Sequence, residues 1–190
     1  MKKAVLFFCI LIIASGMSFA VDFTQGPDSV RPGNILINGG VNIGNASASY
    51  ADNRFSGDLS ASTFGFTIAV DYALAMYGLT VGGETGYSSG STWRISFGAI
   101  PFMGRFGYHP DFGVYNLDVY ALAKVGIAIG SATGENALGL GIGFGIGGRY
   151  FFTNNFGGFA ELGLDNYSFK IDGADITGRK LFTTGITYKM

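Results

Sequence analysis

The chain of 190 residues holds a single cysteine, Cys9, inside its first twenty positions. Beyond Ala20 there is therefore no material for a disulfide, a thiolate metal site or a redox pair, and the fold must rest on its core or on its solvent. Charge is scarce: 13% of residues are charged against 48% hydrophobic, which excludes intrinsic disorder. A basic excess is lacking too. Lys+Arg 12 against Asp+Glu 13 leaves a formal net charge of -1, so nucleic acid is not an expected partner. His109 is the only histidine, and without a His/Cys cluster no transition-metal site and no cofactor is expected. After the first twenty residues no run reaches the roughly 18 consecutive apolar residues that a membrane helix needs. The 32 glycines show no every-third-residue period, which excludes collagen.

What is present begins with an address. Lys2 and Lys3 precede the apolar run Ala4 to Ala14, and Ser18-Phe19-Ala20 fits a small-x-small cleavage site, predicting a signal peptide over 1–20 cut near Ala20. Cys9 lies within the apolar run, behind Phe7 and Phe8, which is the wrong place for lipoprotein acylation. Residues 21–33, with Pro27 and Pro32, read as a periplasmic tether.

From 34 to 190 the period is two. Phe64, Phe66, Ile68, Val70 and Tyr72 interleave with Gly65, Thr67, Ala69 and Asp71. Leu138, Leu140, Ile142, Phe144 and Ile146 interleave with glycine at every step. That is the strand period. Eight segments follow it: 34–44, 62–74, 77–87, 92–108, 117–130, 137–152, 156–169 and 178–190. One set of connections (45–61, 88–91, 131–136 and 170–177) is small, polar or charged. The other set is short and flanked by aromatics such as Tyr72, Phe106, Tyr150 and Phe156, with Trp93, Tyr87 and Phe182 expected at the opposite interface. An even number of antiparallel strands in this arrangement predicts an all-β, eight-stranded antiparallel up-and-down transmembrane β-barrel. Glycine, alanine and threonine make a poor face for water but fit a narrow closed tube, so the bulky phase is expected to face lipid.

The sparse strand charges fix the register. Asp71, Glu84, Arg94, Lys124, Arg149, Glu161, Asp165 and Lys189 fall in the small-residue phase, away from a lipid face where a lysine or arginine costs about 2–4 kcal/mol at mid-depth. Arg105 falls outward when counted from Trp93, Ile95 and Phe97. A bulge at Pro101 would return it to the lumen and turn Phe102 and Phe106 to lipid. The nine residues then form an expected lumenal ionic network, since enclosed charges need partners.

Other motifs carry less. Gly143 to Gly148 matches a dinucleotide fingerprint but sits within an alternating strand with no following helix. His109, followed by Pro110 and Asp111, is expected to cap a turn, with no serine near enough for a nucleophilic pair. In the long connection 45–61, Tyr50, Arg54 and Phe55 form a large-plus-basic cluster suited to contacting a host or matrix ligand.

The eight segments and the last strand, Phe182 to Met190, resemble small outer-membrane barrels of the OmpX/OmpA transmembrane-domain type. That resemblance implies a bacterial outer-membrane location, outer-membrane lipids as surroundings, and recognition of Phe182, Ile186, Tyr188 and Met190 by the barrel-insertion machinery. Thr184 and Met190 depart from the family's apolar and terminal aromatic places. The implied role is structural or surface-interacting and non-enzymatic, with the lumen plugged. A narrow channel for small or lipophilic solutes and a lipid-modifying enzyme stand as alternatives.

Overall fold

The computed structural model describes residues 30–52, 55–75, 78–91, 96–114, 116–132, 134–171 and 174–190, leaving aside the side chains of 50–52 and 55–59. Eight strands follow one another: β1 (Ile35–Asp52), β2 (Phe55–Ala73), β3 (Leu79–Ser91), β4 (Ser96–Tyr108), β5 (Leu117–Ala132), β6 (Glu135–Phe151), β7 (Phe156–Ile171) and β8 (Ala174–Lys189). Each pairs antiparallel with its neighbour in sequence, and β1 also pairs with β8, so the sheet closes into a barrel. Closure leaves no lateral edge around the wall, the condition for placing strands in hydrocarbon. We call the end that holds Val30 and Met190 the lower end.

Bulky apolar side chains point outward over most of the wall. On β6, Leu138 and Leu140 are 68% and 75% exposed, and Ile142, Phe144 and Ile146 continue the row. Phe64, Phe66, Ile68, Val70 and Tyr72 do the same on β2. An apolar surface encircling a barrel this way has no stable place in water, and a lipid bilayer supplies its partner. At the lower rim Tyr72, Phe106, Tyr150, Phe152, Phe156 and Tyr188 stand outward as an aromatic belt; Tyr77, Trp93, Arg94 and Tyr115 lie outside the described residues.

The upper ends of the strands run further than their hydrophobic period. The expected connection 45–61 is strand: Asn45 pairs with Ser62 and the ladder continues to Asp52 and Phe55. Ser131–Asn136 and Lys170–Thr177 are likewise paired almost to their tips, and Ser88–Ser91 belongs to β3. The reason is a reversal of sidedness. Above Phe64, Tyr87, Ile100 and Leu138 the outward positions become Ser62, Ser89, Gly98 and Asn136. The inward ones become Ala46, Ala48, Ala61, Phe97, Phe169, Ile171 and Ile176, which pack together. Alternation continues with its polarity inverted, as it must where the wall leaves lipid for water.

This reversal also explains Arg105. Phe97 faces inward, so counting back from it needs no correction, and β4 pairs with β5 without interruption from Phe97 to Tyr108. No bulge occurs at Pro101. The irregularity lies in β8: Phe182 pairs with Ile43 while Lys180 pairs with Gly44, leaving Leu181 extra. On the other side Gly163 and Leu164 stand opposite that same residue. The bulge flips the phase, so Thr183 and Thr187 face in below it and Lys180 faces in above it.

Candidate functional site

Glycine makes room for what the lumen holds. Along β6 the inward positions Gly139, Gly141, Gly143 and Gly147 lie against the Phe169 ring, the Met103 sulfur, the Asp165 carboxylate and the Tyr120 ring; a Cβ at any of them would overlap its neighbour. One glycine-lined strand thus accepts large side chains projected from β4, β5 and β7, the spacing a filled eight-stranded barrel demands.

Into that space every strand sends a polar or charged side chain. Arg105 from β4 is 1% exposed and serves as the hub. Its Nε donates to Asp71 Oδ1 at 3.0 Å, its Nη2 donates to Glu161 Oε1 at 2.8 Å, and its Nη1 donates to Glu84. Below it, Arg149 donates to Asp118 Oδ2 at 2.9 Å, to Asp71 Oδ2 at 3.0 Å and to Asn38 Oδ1 at 3.2 Å. The Arg149 guanidinium also lies 4.2 Å from the centre of the Tyr120 ring, whose hydroxyl donates to Glu161. Above, Lys124 reaches Asp165 and Glu84 at 3.0 Å each, and Lys180 reaches Asp165 at 2.9 Å and also pairs with Glu84. Each carboxylate shares at least two cations or donors, the arrangement that offsets loss of hydration.

Of the nine residues assigned to the network from sequence, seven meet here: Asp71, Glu84, Arg105, Lys124, Arg149, Glu161 and Asp165. Arg94 lies outside the described residues. Lys189 sits at the lower end with its Nζ 4.9 Å from the Phe151 ring centre. Four members were missed. Asp118 shares the parity of Tyr120 and Lys124, and that count could have found it. Lys180 becomes inward only through the bulge, although the pair Arg179-Lys180 requires one cation to face in. Asn38 and Tyr120 carry no charge to draw notice. Among the described residues the buried set holds five carboxylates, Asp71, Glu84, Asp118, Glu161 and Asp165, against the Lys and Arg side chains of 105, 124, 149 and 180.

His109 is fully buried rather than lying on the turn surface. Its Nδ1 is 2.8 Å from Asp118 Oδ1 and its Nε2 is 3.1 Å from Thr80 Oγ1, while its ring stacks 5.1 Å from Tyr120. The acid beside it is therefore Asp118; Asp111 instead accepts the Gly113 backbone N–H at 2.8 Å. A hydroxyl, an imidazole and a carboxylate in sequence have the order of a nucleophilic triad. Both are enclosed, Thr80 3% exposed and His109 0%.

Apolar layers bound the polar one. Val30, Leu36, Ala73 and Phe151 close the lower end, where the Gly33 N–H donates to the Ala73 carbonyl. The inverted cluster with Phe97, Met103, Tyr167 and Phe169 lies above. The C-terminal residues Ile186, Tyr188 and Met190 point outward, and Phe182 is half-buried beside the bulge. Arg54 and the side chains of Tyr50 and Phe55 lie outside the described residues.

No family model and no curated protein sequence matches the chain. Solved structures do. Neisserial surface protein A superposes with a TM-score of 0.62 at 16% identity, over 83% of this chain and 99% of that one. Ail, the attachment invasion locus protein of Yersinia pestis, gives 0.47 at 14% identity over 84% and 99%. The N-terminal barrel domain of Pseudomonas aeruginosa OprF gives 0.42 at 17% over 87% and 100%. The first of these likenesses establishes a shared fold, that of the small eight-stranded outer-membrane barrel.

Proposed function

We propose that the chain is a non-enzymatic bacterial outer-membrane barrel with a structural or surface-interaction role, its lumen plugged by the ionic network. One observation carries the reading: buried polar side chains from all eight strands join in one connected network, from Asn38 on β1 to Lys180 on β8. Such a layer leaves no continuous path for solute, because passage would separate several buried ion pairs at once, each break costing about 3–5 kcal/mol. The apolar belt suits outer-membrane lipid, and Phe182, Ile186, Tyr188 and Met190 are proposed as the strand that the insertion machinery reads, after leader cleavage near Ala20. The strands that rise above the belt, β1–β2 and β7–β8, are the proposed surface for a host or matrix ligand. The enclosure of His109 and Thr80 argues against lipid-modifying catalysis.

Planar-bilayer recording tests this. The wild-type protein is expected to insert without conductance steps at neutral pH, while replacing Arg105 and Arg149 together by serine opens discrete steps. Steps from the wild type would overturn the plug and favour a narrow channel.

A further inference from the structure

Between the ionic layer and the upper rim the lumen is not filled. Asn45, Ala46, Phe97, Ala99, Tyr167, Phe169, Ile171 and Ile176 line an empty space of about 450 Å³ that runs on to solvent, with an inner void of about 30 Å³. Its walls are mainly apolar, with the Thr63 and Ser88 hydroxyls among them. Its floor is charged, since Lys180 and the neighbouring Asp165 and Lys124 belong to the network below. One inward polar atom in this lining, the hydroxyl of Tyr167, a residue 4% exposed, has no hydrogen-bond partner among the described residues. A buried hydroxyl left unpaired costs about 1–3 kcal/mol, so it asks for a ligand group.

We infer that this upper-lumen space is a binding site for a small uncharged amphiphile bearing one hydroxyl, with a body the size of a single ring. The walls choose an apolar body. The unpaired phenol chooses the polar end, because a ligand hydroxyl can accept from the Tyr167 O–H or donate to its oxygen. The floor offers a charged group no counter-ion, since Lys124 and Lys180 are already paired with Glu84 and Asp165. Small residues keep the space open. Ala46 and Ala99 stand where a larger side chain would fill it, and Gly178 lies beside the Tyr167 ring. The site rests on the plug reading only for its floor, and its test does not use conductance.

The test is methyl NMR of the folded full chain in lipid nanodiscs, titrated with 4-ethylphenol and, separately, ethylbenzene. Saturable shifts of the Ile171, Ile176 and Ala46 methyls are expected with 4-ethylphenol. Binding should be at least about 5-fold weaker for ethylbenzene and about 5-fold weaker for 4-ethylphenol in Tyr167→Phe, the loss of one hydrogen bond. Ala46→Phe should abolish it. If Ala46→Phe does not fold, Tyr167→Phe, checked for heat-modifiable migration, decides alone. Shifts that rise without saturation, or equal affinity for both probes and all variants, mean partition into lipid or hydration by water and overturn the site.

Discussion

Arg105 faces three carboxylates at once, so its removal strands three buried charges. Arg105→Met should lower unfolding free energy by about 3–5 kcal/mol, the range for breaking one side of a buried pair. His109→Ala deprives Asp118 of one of its two partners and Thr80 of the imidazole beside its hydroxyl, a loss of about 1–3 kcal/mol. Urea titration of the folded protein in micelles, followed by tryptophan fluorescence and gel migration, measures both. A change under about 0.5 kcal/mol for Arg105→Met would mean that water, not Arg105, neutralises Asp71, Glu84 and Glu161. Lys170 and Asp175, 3.7 Å apart at the upper rim and exposed, form a pair of the kind that contributes little.

At the scale of the strand, β6 shows how much a sequence can say. Its alternation of Leu138, Leu140, Ile142, Phe144 and Ile146 with glycine was legible as a lipid-facing strand, and so was the inward phase of Arg149. What the glycines accommodate was not legible, because Tyr120, Asp165, Met103 and Phe169 arrive from other strands. A pair of neighbouring substitutions separates the two faces. Gly147→Ala meets the Tyr120 ring and should cost about 1–3 kcal/mol, whereas Gly148→Ala faces outward with its nearest atom at 3.9 Å and should change stability by under about 0.5 kcal/mol. Equal effects in the same unfolding assay would contradict the packing of β6. Elsewhere legibility failed for definite reasons. The upper halves of β1 and β2 are built from Asn45-Ala46-Ser47-Ala48-Ser49 and similar small residues, whose inverted period carries almost no hydrophobic signal. Phe97 belongs to that inverted zone, so a count that treated it as lipid-facing demanded a bulge in β4. The bulge that exists, at Leu181, is marked only by two adjacent cations, Arg179 and Lys180.

At the scale of the whole molecule the lumen is a stack: an apolar cap at Val30 and Phe151, a charged floor, then an apolar chamber open upward. Around it the wall changes solvent partway up, and the side-chain pattern changes sign at the same place. The stack and the sign change are one statement about sidedness. Nitroxide labels on single cysteines along β2, in a chain lacking Cys9, report it directly through collisions with oxygen and with a water-soluble nickel complex. Labels at Phe64, Phe66, Ile68 and Val70 should collide with oxygen, those at Ser60 and Ser62 with nickel, and the inward label at Ala69 with neither. Nickel reaching Ala69 would show a wet, open lumen, and oxygen failing to reach Phe66 and Ile68 would show that the apolar face is not in lipid; either result contradicts the account.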